Sequence, residues 1–231
     1  MDASPFAEAL SRIAGDADLW PIVGLSLRVT FAAVLIAALI GLPLGAWLAV
    51  ARFPGRNALA VLFSALMGLP PVVAGLALYL VLSRSGPLGG LGWLFSPAAM
   101  VAAQAVLVLP IIVSLTRQTI EDLWRDYEEG LTSLGSSRAR AIPTLLWDAR
   151  YSLLTGLLAG FGRASAEVGA VLIVGGNIAG YTRTMTTTIA LETSKGDLPL
   201  ALGLGLVLIA LTIAINAAAF GANALARRAG A

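Results

Sequence analysis

The sequence contains no cysteine and no histidine, and it is poor in charge. Without these two residue types, disulfide bonds, thiolate chemistry and the usual zinc sites are excluded. Charged residues make up 12% of the 231 residues, against roughly 25% in an average soluble domain. The formal net charge of +2 is too small to indicate a nucleic-acid partner. With 58% hydrophobic residues, this composition excludes a soluble cytoplasmic enzyme.

Long stretches without any charged residue account for this composition. Four of them have 23, 27, 32 and 29 residues, and they end before Arg52, Arg84, Arg117 and Arg227. About 20 residues of helix cross the hydrocarbon core of a membrane, and these stretches lack the alternation that a barrel strand requires. We expect an all-α membrane protein with about five transmembrane helices. The spans are predicted at about residues 24–50, 58–83, 98–116, 151–175 and 199–222.

The distribution of lysine and arginine predicts the orientation of these spans, because cytoplasmic loops carry an excess of both. Nine basic residues fall on one side of the five-span arrangement and four on the other. The N-terminus is therefore expected outside and the C-terminus in the cytoplasm. This orientation predicts an extracytoplasmic segment at 1–23, a transmembrane domain at 24–222 and a cytoplasmic tail at 223–231. The expected location is the plasma (inner) membrane of a bacterium or archaeon.

Prolines and glycines within the spans predict local features of the helices. A proline removes a backbone donor and should kink or interrupt a helix, whereas glycines four residues apart permit two helices to approach closely. The prolines are Pro43, Pro70, Pro71 and Pro110, and the glycine pairs are Gly41 with Gly45 and Gly156 with Gly160. We expect the glycine pairs to serve packing within the chain.

The segment 117–150 is polar and carries eleven of the 28 charges. A connection between antiparallel helices needs only a few residues, so a segment of this length is expected to have a function. Apolar residues recur at steps of three and four along its first half, which predicts a helix. Gly135, followed by two serines, should end that helix, and a second short helix should begin near Arg138. The prediction is a cytoplasmic elbow of two helices; the alternative is an amphipathic elbow resting on lipid headgroups.

The middle of this segment resembles the EAA loop of ABC importer permeases. That pattern has Glu-Ala-Ala, three residues, Gly, nine residues, Ile, one residue and Leu-Pro. Glu129, Gly135 and Leu145 fall at the Glu, Gly and Ile positions. The departures from the pattern are Gly130, Leu131, Trp147 and Asp148.

The resemblance implies a coupling helix that docks on a separate ATPase subunit. The residues expected to take part are Glu129, Gly135, Ser136 and Arg138, with Arg138 and Arg140 free to pair at the rim. The chain has no G-x-x-x-x-G-K-[ST] phosphate-binding loop, so ATP and magnesium would be bound by the partner. The chain itself is expected to be no enzyme and to hold no cofactor and no metal.

A second stretch resembles the tungstate-type branch of the molybdate, tungstate and sulfate permeases. It carries FGRA, EVG, VGGNI, GYTR, a run of threonines and LETSKGD between residues 161 and 197, with LPPVVAG at 69–75. The resemblance implies import of an oxyanion, with tungstate as the expected substrate. It also implies two copies of this chain, two ATPase subunits and an extracytoplasmic substrate-binding protein. The alternatives are a permease for molybdate, sulfate or another anion, and a proton-coupled secondary transporter in which Glu167 titrates.

Arg163 and Glu167 are the charges predicted deep within a span. Ionisable residues inside a membrane normally face a bundle interior or an aqueous path. At a spacing of four they would share one helical face. Two interpretations remain open: a structural pair that neutralises itself, and a gate in which Arg163 offers positive charge to an anion.

The predicted outer segment that follows is rich in glycine, hydroxyl groups and amides. A tetrahedral dianion is bound by donors and dipoles of this kind. The candidate anion path comprises Gly175, Gly176, Asn177, Thr182, Arg183, Thr186 and Thr187. An ordinary polar turn followed by a helix N-cap is the alternative interpretation.

Overall fold

A computed structural model describes residues 19–229 of the chain. Most of the predicted segment 1–23 and the last two residues of the tail 223–231 lie outside the described residues. Within residues 19–229 every regular element is helical. The α-helices are α1 (Leu19–Val50), α2 (Arg56–Leu66), α3 (Pro71–Leu82), α4 (Pro97–Ser133), α5 (Arg138–Asp148), α6 (Arg150–Ser165), α7 (Gly169–Gly175), α8 (Met185–Lys195) and α9 (Leu198–Ala229), with a 3-10 turn at Gly89–Leu91.

Three of these helices, α1, α4 and α9, are each long and apolar enough to cross a membrane. Two more crossings arise if α2 with α3, and α6 with α7, are each counted as one bent span. The described part of the chain therefore has three to five candidate spans, and the all-helical membrane class is confirmed. The predicted spans 58–83 and 151–175 are each two helices rather than one.

The proline pair interrupts a span, whereas the isolated prolines do not. α2 ends at Leu66, and α3 begins at Pro71, a first-turn position at which proline loses no helical hydrogen bond. By contrast, α1 continues through Pro43 and α4 continues through Pro110. Neighbouring helices can satisfy the backbone groups that a single proline frees inside a membrane protein.

The chain divides into two compact units, and one of them comprises residues 33–70 and 105–164. Its interior holds two apolar clusters. The first surrounds Trp124 and Leu145, which are 6% and 0% exposed, and joins the end of α1 to α4, α5 and α6. The second packs Ala37 of α1 against Val108 and Ile112 of α4 and Ala164 of α6. These clusters position the segment 117–150.

Glycines bring the helices of this unit into close contact. A Cβ atom at Gly45 would lie 2.6 Å from the carbonyl oxygen of Val113 in α4. A Cβ atom at Gly160 would lie 2.8 Å from Val108 Cγ1, and one at Gly41 would lie 2.8 Å from Ile112 Cγ2. The predicted use of these glycines for packing within the chain is therefore confirmed.

Replacing Gly45 by alanine is expected to destabilise the folded protein by about 1–2 kcal/mol. Overpacking of a tight contact typically costs about 1–3 kcal/mol, and the higher helix propensity of alanine offsets roughly 0.5–1 kcal/mol of that cost. The matched control is Gly24→Ala in the same helix, because a Cβ atom there meets nothing within 4 Å. Thermal unfolding of both purified variants measures the difference. Equal stability of the two variants would contradict the close contact between α1 and α4.

The described part of the other unit comprises residues 19–32, 71–104 and 165–229. In it α3 lies against α7, where a Cβ atom at Gly75 would come within 2.7 Å of Ala170 Cα. The start of α8 is tied to α1, because the N–H of Met185 donates to Ser26 Oγ at 2.8 Å. The loop before α4 is tied to α7 by the N–H of Phe95, which donates to Val174 O at 2.8 Å.

Candidate functional site

Two helices and a tight turn form the segment 117–150. α4 runs without interruption from the predicted third span to Ser133, and α5 begins at Arg138. Gly135 has a φ of +75°, and its N–H donates to Thr132 O at 2.9 Å, while the N–H of Ser136 donates to Leu131 O at 2.9 Å. This is the hydrogen-bond pattern of a glycine C-cap. The helix therefore ends two residues before Gly135, and Gly135 supplies the capping turn that the sequence predicts.

Glu128 holds this turn against the end of α1. Its Oε1 atom accepts hydrogen bonds from Arg138 at 2.5 Å and from Arg52 at 3.2 Å. Arg138 also donates to Val50 O at 3.4 Å, and its guanidinium carbon lies 5.8 Å from the centroid of the Trp124 ring. Arg138 therefore donates within the chain through Nη1 and Nη2, and its pairing with a partner subunit stays a prediction. Arg140 donates to Ser137 Oγ at 3.2 Å and is exposed.

A second carboxylate ties α4 to the start of α2. Glu121 accepts from Arg56 at 2.9 Å and from Arg117 at 2.5 Å, one arginine on each carboxylate oxygen. Arg56 also donates to the carbonyl oxygens of Leu48 and Ala49, at 2.7 and 2.9 Å. These carbonyls lie at the C-terminus of α1, where a cation satisfies free acceptors and interacts favourably with the helix dipole. One arginine thus joins α1, α2 and α4.

The outward surface of the turn is made of small residues and one exposed leucine. Leu134 is 85% exposed, and Cβ atoms at Gly130 and Gly135 would meet nothing within 4 Å. Glu129 is exposed, with its carbonyl oxygen accepting from the hydroxyl of Ser133 at 2.8 Å. The predicted residues Glu129 and Gly135 therefore lie on the open side of the turn, whereas Arg138 lies on its inner side.

Arg163 lies within a helix, whereas Glu167 lies between two helices. Arg163 is in the last turn of α6, and Glu167 lies in the break before α7 begins at Gly169. The expectation of one continuous helical face is therefore wrong, because the helix is interrupted between the two residues. Each charge instead suits its own helix terminus, since cations are favourable at a C-terminus and anions at an N-terminus.

Glu167 is buried, with 2% of its surface exposed. Its Oε1 atom accepts from the N–H of Ala170 at 3.0 Å, and its carbonyl oxygen accepts from Thr186 Oγ1 at 2.8 Å. The carboxylate therefore caps the first turn of α7, and its backbone anchors the start of α8. The sequence pattern gave no sign of this capping role. Whether Glu167 also neutralises Arg163 stays a prediction.

The glycines and Thr182 of the candidate anion path form a closed turn after α7. Gly176 has a φ of +71°, and its N–H donates to Leu172 O at 3.0 Å. Thr182 is fully buried; its hydroxyl donates to Gly175 O at 2.6 Å and accepts from the N–H of Ile178 at 2.9 Å. The N–H of Gly176 and the hydroxyl of Thr182 therefore form hydrogen bonds within the chain.

The threonines at the start of α8 form a helix N-cap. The N–H of Thr184 donates to Thr187 Oγ1 at 2.9 Å, and Thr186 donates to the carbonyl of Glu167. Hydroxyl groups at a helix start commonly satisfy backbone donors in this way. For Thr186 and Thr187 the geometry supports the alternative interpretation of a capped helix. Asn177 and Arg183 differ, because Asn177 Oδ1 and Arg183 Nε are buried and form no hydrogen bond within the described residues.

Comparison with known proteins decides the family. Residues 41–229 match the family described as binding-protein-dependent transport system inner membrane component. The chain belongs to this family. It is therefore a transport component of the plasma membrane that crosses the bilayer several times.

Three relatives show where this permease lies within the family. It is 40% identical over 201 residues to a protein named probable anion ABC transporter permease from Haloferax volcanii, covering 85% of this chain and 87% of the relative. It is 38% identical over 202 residues to a tungstate uptake system permease from Peptoclostridium acidaminophilum, covering 87% and 89%. A sulfate transport system permease from Salmonella typhimurium is 29% identical over 192 residues, covering 78% and 69%.

Proposed function

We propose that this permease is the membrane-spanning subunit of an ATP-driven importer for an oxyanion, and that the oxyanion is tungstate. The observation that carries the proposal is the 38% identity with a tungstate uptake permease over 87% of the chain. The relative named for sulfate keeps another tetrahedral dianion as the alternative substrate. In this proposal two copies of the chain assemble with two ATPase subunits and an extracytoplasmic binding protein.

The charges of the unit formed by residues 33–70 and 105–164 support the proposed orientation. Its ion pairs form two groups near the C-terminus of α1: Glu128 accepts from Arg52 and Arg138, and Glu121 accepts from Arg56. The nine-to-four distribution of basic residues supports a cytoplasmic location for this charged end. The N-terminus is then outside and the C-terminus inside.

The length of α4 supports a cytoplasmic elbow. Its 37 residues correspond to about 55 Å of helix at 1.5 Å per residue, whereas the hydrocarbon core is only about 30 Å thick. The uncharged part of α4 ends at Thr116, so the part from Arg117 to Ser133 projects beyond the membrane. The turn at Gly135 and helix α5 then present Leu134 and the small residues around it at the end of this projection.

That end of the elbow suits docking on an ATPase subunit. Leu134 offers an exposed apolar anchor, and the absence of bulk at Gly130 and Gly135 permits close approach of a partner backbone. The ion pairs of Glu128 and Glu121 connect the elbow to α1 and α2, so that a displacement of the elbow would be passed to the spans. ATP-driven movement of the ATPase subunits would in this way alter access to the anion path.

The proposal is tested by uptake into membrane vesicles that contain the permease with the subunits that co-purify with it. We expect tungstate to accumulate when ATP is supplied and the proton gradient is collapsed. We also expect Leu134→Ser to lower uptake and recovery of the ATPase subunit at least about tenfold, as loss of about 1.4 kcal/mol of binding energy produces. The control is Leu91→Ser, since Leu91 is 50% exposed but lies outside the elbow.

Two outcomes contradict this proposal. Uptake that needs a pH gradient and no ATP would identify a secondary transporter. Normal uptake and normal ATPase recovery in Leu134→Ser would show that the elbow does not dock. Competition among tungstate, molybdate and sulfate in the same vesicles then decides the substrate.

A further inference from the structure

A cleft of about 800 Å³ lies between the first turns of α1 and the loop that joins α7 to α8. Both walls belong to the same compact unit. Trp20, Gly24 and Arg28 line it from α1, and Gly180, Tyr181 and Arg183 line it from the loop. Trp20 and Tyr181 are 66% and 51% exposed, so the cleft opens to the surface.

Among residues 19–229, the lining of the cleft includes two arginines and no acidic residue. Among residues 19–229, no carboxylate lies within 4 Å of the guanidinium of Arg28 or of Arg183. Most other arginines of the described chain are instead held by carboxylates or by carbonyl oxygens, as Arg56 and Arg138 are. Arg183 Nε is buried and has no hydrogen-bond partner in this part of the chain. Two unneutralised guanidinium groups facing one cleft favour an anion there.

The position of Arg28 along α1 places the cleft near the edge of the membrane. The uncharged stretch begins at Val29 and has 23 residues, enough by itself to cross the hydrocarbon core. Arg28 therefore marks the end of the span, and the proposed orientation puts that end on the outer side. A substrate-binding protein would release its cargo on this side.

A hydrogen bond connects the two sides of the cleft, and two of its lining residues are glycines. The N–H of Met185 donates to Ser26 Oγ at 2.8 Å, which ties the loop's far end to α1 two residues from Arg28. Cβ atoms at Gly24 and Gly180 would meet nothing within 4 Å. The cleft is thus a built space between fixed elements, and larger side chains at Gly24 would occupy it.

We propose that this cleft is a receiving site for the transported tetrahedral dianion, held by the guanidinium groups of Arg28 and Arg183. The inference rests on the proposed function and adds a site to it. A guanidinium offers donors in a planar fork that matches oxyanion edges. The cleft is wide and open to water, so it suits brief binding before passage rather than tight retention. Arg28 was not among the residues that the sequence pointed to for the anion path.

The test measures binding of tungstate to the full-length permease, purified in detergent with its co-purifying subunits but without the binding protein. We expect Arg28→Gln and Arg183→Gln each to weaken tungstate binding at least about tenfold, the usual effect of losing one hydrogen bond to a charged group. Gly24→Leu should weaken it similarly, because the side chain fills the cleft while both arginines remain. Arg84→Gln is the control, since Arg84 is exposed and lies outside the cleft.

Two further measurements distinguish a tungstate site from a lipid-headgroup site and from a docking surface for the binding protein. If phosphatidylglycerol displaces tungstate and the variants lose only lipid binding, the cleft is a headgroup site and the proposal is overturned. If the arginine variants bind tungstate normally but fail to retain the binding protein, the cleft is a docking surface, which also overturns it. A melting temperature like that of the unchanged permease shows that each variant is folded. Should Gly24→Leu fail to fold, Gly24→Val is used in its place.

Uptake separates failure of this inference from failure of the proposed function. If the unchanged permease shows no ATP-dependent tungstate uptake, the proposed function fails. If it takes up tungstate, and Arg28→Gln and Arg183→Gln do so with the same concentration dependence, the receiving site alone is contradicted. The expected result is uptake that needs at least about tenfold more tungstate in both variants.

Discussion

Replacing Glu167 by alanine is expected to cause a large loss of folded permease. The Glu167 side chain accepts the N–H of Ala170 in a site that is 2% exposed. Alanine would leave that donor buried without its partner, which costs about 1–3 kcal/mol. It would also remove a buried negative charge that lies four residues from Arg163. We expect a total destabilisation on the order of 3 kcal/mol or more.

Glutamine at position 167 separates the cap from the charge. Its amide oxygen can still accept from Ala170, so Glu167→Gln should be less damaging than Glu167→Ala. If Glu167 also neutralises Arg163, then Glu167→Gln and Arg163→Gln should each lower the yield of folded protein, and the double variant should recover much of it. The coupling in a double-mutant cycle is expected at about 1–3 kcal/mol. Thermal unfolding of the four purified variants measures both effects.

The results of that series have distinct meanings. Additive effects of the two glutamine substitutions would reject a neutralising pair. A double variant that folds but no longer transports would favour a role of Arg163 in the anion path. Unfolding of Glu167→Ala at the temperature of the unchanged protein would contradict the capping contact itself.

The membrane class and the approximate spans could be predicted from the sequence because they depend on length and lack of charge alone. The break at residues 166–168 could not, since the bond from the N–H of Ala170 to Glu167 leaves no spacing pattern in the sequence. The spacing of Arg163 and Glu167 predicts a shared helical face only if the helix continues through both residues. An acidic residue two positions before a glycine can equally begin a new helix, and the sequence does not distinguish these cases.

The candidate site could be predicted only in part, because local signals are visible in the sequence and long-range contacts are not. Glycine at the end of α4 gives a local signal, and the turn at Gly135 follows from it. The partner of Arg138 is Glu128, one residue before the Glu129 that the motif highlights, and Arg52 lies 76 residues from that carboxylate. Contacts at such separations leave no spacing pattern. The candidate anion path requires free hydroxyl donors at Thr186 and Thr187, but short hydroxyl side chains readily bond to nearby backbone.

Replacing Glu121 by glutamine is expected to destabilise the permease by about 2–3 kcal/mol. Both carboxylate oxygens carry an arginine, and the three side chains involved are each 25% exposed. Removing one member of a buried ion pair costs about 3–5 kcal/mol, and partial exposure to water reduces that figure. Glutamine offers one acceptor without charge, so Arg56 and Arg117 would lose their counterion.

The neighbouring Asp122 provides a control with the same change of charge. Its pair with Arg125 has side chains that are 65% and 71% exposed, and exposed pairs contribute only about 0–1 kcal/mol. Asp122→Asn should therefore unfold close to the unchanged protein, and a difference between the two variants reports burial rather than net charge. Raising the salt concentration should reduce the small effect at Asp122 more than the effect at Glu121, since buried pairs are screened less.

The Glu121 substitution also tests whether the ion pairs carry movement from the elbow to the spans. Arg56 binds the last carbonyl groups of α1 while it binds Glu121 of α4. If this connection transmits movement, Glu121→Gln should lower the amount of tungstate taken up per ATP hydrolysed, while the ATPase subunit is still recovered with the permease. Restoring folding with Arg56→Gln alongside Glu121→Gln should leave that ratio low. If the double variant takes up as much tungstate per ATP as the unchanged permease, Glu121 has a structural role only. The ion pair of Glu128 with Arg138 would then be the remaining connection between the elbow and the spans.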